Sequence, residues 1–158
     1  MCKAGVVLVH LIFGKGIQVD PAKIEIIIHL PAPKSQREVR GFLGDVGYYR
    51  RFIENFSKIV SPLLRLLAKD SEFSWTTACQ QSSETLKEKL VQAPILRGPN
   101  WSLPFHISSD ALDLAIGIAL RQEENKQSYA IYYISKNLSS AELNYTVTER
   151  VFSYVFGN

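Results

Sequence analysis

An α+β fold is expected: helices in the first part of the chain, then an antiparallel three-stranded meander and one helix. Three observations predict it. Apolar residues recur at helical spacing between residues 20 and 92. After Pro94 the period shortens to two. Proline, glycine and capping residues punctuate both stretches. Size and composition agree. A chain of 158 residues makes about one ordinary domain or two small ones, and 46% apolar with 21% charged residues is a globular balance. That excludes a disordered tail, a collagen-like chain and a coiled coil.

Each element has a local reason. Asp20 before Pro21 is an N-cap with proline at the first helical position, and Ile24, Ile27 and Ile28 follow at helical spacing. Pro31 and Pro33 stop that helix. Ser35 and Glu38 have capping-box spacing, followed by Val39, Phe42 and Leu43 on one face. Gly44 and Gly47 mark a break. Tyr48, Phe52, Ile53 and Phe56 then form a new stripe, which assigns Tyr48 and Phe52 to the core. Ser61 and Pro62 start a short helix with Leu63, Leu66 and Leu67, and residues 77–80 open a longer one ending near Gln92. In the second part, Phe105, Ile107 and Ser109 alternate with His106, Ser108 and Asp110, as in a half-buried strand. Residues 115–120 are a short apolar run with Gly117 inside it, residues 123–127 a polar turn, and residues 129–134 a third strand rich in aromatic and β-branched side chains. Thr146 and Glu149 again have capping-box spacing and open a final helix.

Neither of the longest apolar runs, residues 5–13 and 24–30, approaches the roughly 20 residues of a bilayer span. Residues 1–14 lack the pattern of a signal peptide. Cys2 and Cys79 are too few for a disulfide scaffold and read as free thiols in a reducing compartment. The expected location is therefore intracellular, cytoplasmic or nuclear, with no membrane. His10, His29 and His106 have no partners at zinc-ligand spacing and read as structural or solvated, and Trp75 and Trp101 as packing residues of the linker.

Charge is uneven. Residues 1–30 carry a net +1, residues 31–70 a net +4 and residues 71–158 a net −2. A basic middle segment either faces phosphate or is a solvated helical face, and charge alone leaves both open.

The order of motifs resembles a specific family. GFLGDVGYYRRFI (residues 41–53), followed by FSKIVSPL (56–63), FSWTTACQQSSETLKEKLVQAPIL (73–96), PFHISSDALDLAIGIALRQ (104–122) and YAIYYISKNLSSAELNYTVTER (129–150), resembles gypsy-type LTR retrotransposon reverse transcriptases over nearly the whole chain. The resemblance implies four parts. Residues 1–18 would be a remnant of the hairpin that closes the palm, and 19–70 thumb-like helices. Residues 71–102 would be a connection or linker helix, and 103–158 the N-terminal, truncated part of a ribonuclease H-like domain. The implied parent activity is RNA-directed DNA synthesis with hydrolysis of the RNA strand in RNA–DNA hybrids. Other parts of the polyprotein would be partners.

The resemblance also assigns residues. Asp110 in SSDAL matches the first catalytic carboxylate, a ligand of Mg²⁺ in a two-ion site. Read from its pattern alone, Asp110 is a strand-end residue that starts a turn. The second family carboxylate falls on Val151, and Glu149 lies about 200° away around a helix. No YxDD motif occurs. The chain is therefore expected to be inactive alone, with tight Mg²⁺ binding confined to the intact parent. Arg37, Arg40, Tyr49, Arg50, Arg51 and Lys58 are expected to contact the backbone of an RNA–DNA hybrid or duplex. Gly41, Gly44 and Gly47 either let backbone approach nucleic acid or serve helix packing. The alternative function is a non-catalytic nucleic-acid-binding or protein-interaction module derived from such an element.

Overall fold

The computed structural model describes residues 4–7, 10–14, 16–69, 71–111, 115–139 and 146. Strands β1 (Ala4–Val7), β2 (His10–Phe13) and β3 (Gly16–Val19) form an antiparallel sheet in that order. The sequence suggested only a hairpin here. The third strand arises because β3 carries on from Gly16, pairing Ile17 with Ile12 on one side.

Helices α1 (Pro21–Ile28), α2 (Gln36–Gly47), α3 (Phe56–Arg65) and α4 (Thr77–Val91) follow, with a 3₁₀ turn over Arg50–Phe52. Two of three caps fall where the sequence places them, and the third, Thr76, stands one residue before the opening read at Thr77. Asp20 accepts from the Ala22 amide at 3.0 Å, Ser35 from Glu38 at 3.2 Å and Thr76 from Cys79 at 3.3 Å. Two expectations are corrected. Helix α2 runs on through Gly44 and ends at Gly47, so only the second glycine marks the break, and α3 begins at Phe56 with Pro62 inside it. Proline costs one backbone donor, but the apolar stripe of Val60 and Leu63 is buried against α4 and outweighs that loss.

The second sheet is a meander of β4 (His106–Ala111), β5 (Ala115–Glu124) and β6 (Gln127–Asn137). Asn125 and Lys126, at φ 52° and 62°, turn β5 into β6, the backbone that a two-residue hairpin of matching twist requires. The helix expected from near Thr146 lies outside the described residues.

One apolar cluster runs across the expected part boundaries: Val19 and Ile24, then Phe42 and Phe52, then Leu86 and Leu90, and finally Leu96 and Ala130. The segment between α4 and β4 ties the sheets together. Ile17 and Leu96 exchange two backbone hydrogen bonds of 2.9 Å, and the Arg97 amide donates to Ala130 at 3.0 Å. Gly16 sits at φ 141° against the Leu96 carbonyl, in space that a Cβ would fill. Further along, Gln122 is fully buried. Its carboxamide oxygen accepts from the Asn100 amide and the Tyr129 hydroxyl, both at 2.9 Å. Its nitrogen donates to the carbonyls of Asn100 and Leu103. That network presents Trp101, which is 83% exposed and touches Phe105, so Trp101 is not the packing residue expected. Trp75 is half-buried, and its indole donates to Gln80 at 2.9 Å.

Candidate nucleic-acid interface and the Asp110 position

Helix α2 has two faces fixed by its residue order. Val39, Phe42 and Val46 are buried, and Tyr49 continues that stripe three residues on at 2% exposure. Arg37, Arg40, Gly41, Gly44 and Tyr48 stand at helical spacing on the opposite, exposed face. A Cβ added to Gly41, Gly44 or Gly47 would meet nothing within 4 Å. Close packing within the described chain therefore does not require these glycines.

The two tyrosines exchange the places expected for them. Tyr49 was expected to contact nucleic acid but belongs to the core, and Tyr48, expected in the core, is 46% exposed. The cause is phase. Because α2 does not break at Gly44, Val39 and Phe42 set the buried stripe, and Tyr49 rather than Tyr48 continues it. Burial, then the charges of Asp20, Tyr48 and Asp45, pushes the Tyr49 hydroxyl up to about 12. That hydroxyl and Nε2 of buried His10 make no hydrogen bond with a described residue. The His10 ring of β2 lies between Tyr48, at 5.3 Å, and Phe52, at 5.5 Å, both nearly parallel to it.

Arg37, Arg40, Arg50 and Arg51 are all exposed and form no ion pair with any described residue. Arg51 also lines an open cleft of about 890 Å³ between β3, residues 95–99 and β6. Arg97 in the same cleft is neutralised by Glu124 at 2.8 Å. Lys58 differs from the arginines: its ammonium lies 3.9 Å from the Asp110 carboxylate.

Asp110 stands in β4, opposite Gly117 of β5. Its Oδ2 accepts a 2.9 Å hydrogen bond from Asn55 Nδ2. A divalent ion needs several converging oxygens. Among the described residues no group of three or more His, Cys, Asp or Glu side chains could hold a metal. Asp110 faces the Asn55 amide nitrogen and the Lys58 ammonium, neither of which can ligate a cation, so the described residues by themselves do not supply the Mg²⁺ pair that the resemblance implies. Asp113, Glu149 and Val151 lie outside the described residues.

The family described as the RNase H-like domain found in reverse transcriptase matches residues 75–155. The chain belongs to that family. Among its relatives are the Transposon Tf2-3 and Tf2-4 polyproteins of Schizosaccharomyces pombe (strain 972 / ATCC 24843), each 36% identical over 137 residues. The match covers 86% of this chain and 10% of each polyprotein, so the chain spans about a tenth of those relatives. These findings support the LTR retrotransposon resemblance. The foamy viral protease-reverse transcriptase in complex with dsDNA shares the fold of this family member, with a TM-score of 0.76 at 22% identity, over 98% of this chain and 33% of that one. The same viral protein in complex with RNA/DNA hybrid gives 0.75 at 22% identity, over 97% and 21%. No helix among the described residues is long and apolar enough to cross a membrane.

Sequence reasoning missed Asn55, Gly117, Ser135 and Gln122. Only Gly117 carried a signal: a glycine inside an apolar strand marks close approach of another group.

Proposed function

We propose that this chain grips the sugar–phosphate backbone of an RNA–DNA hybrid or duplex nucleic acid, as a non-catalytic part of a reverse transcriptase/ribonuclease H polyprotein. In this reading residues 1–18 belong to the palm hairpin, 19–70 to thumb-like helices, 71–102 to the connection and 103–158 to the ribonuclease H-like part. The observation that carries it is the exposed face of α2, where Arg37 and Arg40 flank Gly41 and Gly44, whose missing Cβ atoms leave open space. Phosphate contact needs positive charge, and close approach needs small residues. Arg50 and Arg51 extend the charge beyond the helix. The foamy viral protease-reverse transcriptase, which shares this fold and is known in complex with dsDNA and with RNA/DNA hybrid, supports the same reading.

Polymerisation and RNA-strand hydrolysis belong to the whole polyprotein in this proposal. Mg²⁺ would be held there by carboxylates beyond the described set, and this chain alone leaves a hybrid uncut. The test is binding of a labelled RNA–DNA hybrid across a salt series. Replacing Arg50 and Arg51 by Ala should weaken binding without sequence preference and lower the salt slope by roughly 2. An unchanged slope would overturn the proposal.

A further inference from the structure

Asp110, Gly117 and Ser135 form one row across β4, β5 and β6. The first turn of α3 lies over that row. Asn55 occupies the N-cap position at φ 59°, yet its side chain does not cap the helix. It donates to Asp110 instead, and its amide fills the space a Cβ on Gly117 would take. The missing cap comes from the sheet: the Ser57 amide, one of the unpaired donors of a helix start, donates to Ser135 Oγ at 2.8 Å. Lys58 adds its ammonium at 3.9 Å from Asp110, and Glu54 pairs with Arg121 of β5 at 2.9 Å. Residues 54–58 thus meet all three strands.

We propose that Asp110 is a positioning residue. Its carboxylate fastens the first turn of α3 to the sheet, and a divalent ion and α3 compete for it. An ion on Asp110 would add a second positive charge beside the Lys58 ammonium and draw the carboxylate's charge away from the Asn55 donor on Oδ2. Asn55 adopts the left-handed conformation that asparagine tolerates, and its side chain is seated between Asp110 and Gly117. The proposal needs no nucleic acid, so it stands or falls independently of the grip assigned to α2.

The test reads two quantities on the full chain. Asp110→Ala should speed hydrogen exchange at the Ser57 amide about fivefold, with Leu86 and Leu90 of α4 unchanged. The double variant Asn55→Asp with Asp110→Asn reverses the donor and acceptor, keeps a carboxylate beside Lys58, and should bring the Ser57 rate back to within about twofold of the unmodified chain. Water-proton relaxation in a Mn²⁺ titration should show no saturable site in the unmodified chain. Saturable Mn²⁺ binding that Asp110→Asn removes would overturn the proposal. So would an unchanged Ser57 rate in Asp110→Ala, or a double variant no better than that single one.

Discussion

Tyr48 and Tyr49 are adjacent in the chain and face opposite environments, 46% exposed against 2%. The boundary between core and open surface therefore passes between them. Tyr48 extends the line of Arg37, Arg40, Gly41 and Gly44 while its ring stacks on His10 of the first sheet. The face assigned to nucleic acid ends on an aromatic contact with another element.

Glycine on that face should trade stability for binding. Gly41→Ala and Gly44→Ala place a methyl group in open space inside an exposed helix. Each should stabilise the chain by about 0.5–1 kcal/mol, because alanine loses less backbone entropy on folding. Each should also weaken hybrid binding. Urea denaturation and a binding isotherm on the same variants check both signs, and stabilisation without loss of affinity would remove the glycines from the interface.

The same substitution at Gly117 should go the other way. A methyl group there meets the Asn55 carboxamide, which Asp110 holds in place. Gly117→Ala should destabilise by roughly 1–3 kcal/mol, the usual cost of overpacking. A shift of the urea midpoint to lower concentration is the expected readout.

Tyr49 makes stability fall at alkaline pH. Its folded pKa of about 12 lies above the value near 10 expected when unfolded. The unfolded chain thus loses the phenolic proton first. The contribution is fully present below pH ~10 and is lost as pH rises toward ~12, by roughly 2–3 kcal/mol in all. Tyr49→Phe should flatten this fall and be neutral or stabilising at pH ~7, since it removes a buried hydroxyl with no described partner. Urea midpoints at neutral and alkaline pH compare the two chains.

Gln122→Leu should loosen residues 100–103. It strips partners from the Asn100 amide and from two carbonyls, at a cost of about 2 kcal/mol after water replaces part of the loss. In a Trp75→Phe background, the fluorescence anisotropy of Trp101 should drop along with the urea midpoint.

Much of the fold was legible because its signals are local. Asp20-Pro21 and Ser35 cap their helices as read, Thr76 caps one residue before the expected Thr77, and the three strands of the meander sit at the expected positions, although Phe105 and Ile107 are exposed rather than half-buried. The break read at Gly44 failed for a physical reason: the helix-weakening glycines of α2 cost less than burying Val39, Phe42 and Val46 returns. That one misreading shifted the phase and exchanged the tyrosines. The exposed arginines were legible from charge and motif. The surroundings of Asp110 were not, since Asn55 reaches it across 55 positions of sequence and nothing in the chain near either residue announces the contact.

Leu96 has a mechanical consequence. Residues 96 and 97 are bonded to Ile17 on one side and Ala130 on the other, so they act as a tie bar between the two sheets. A load that drags on the arginine-bearing helix can be shared by both sheets through three backbone hydrogen bonds instead of bending a flexible connector. Gly16 is the seat of that bar, because a side chain there would lift the strand off the Leu96 carbonyl and turn a stiff frame into a hinge.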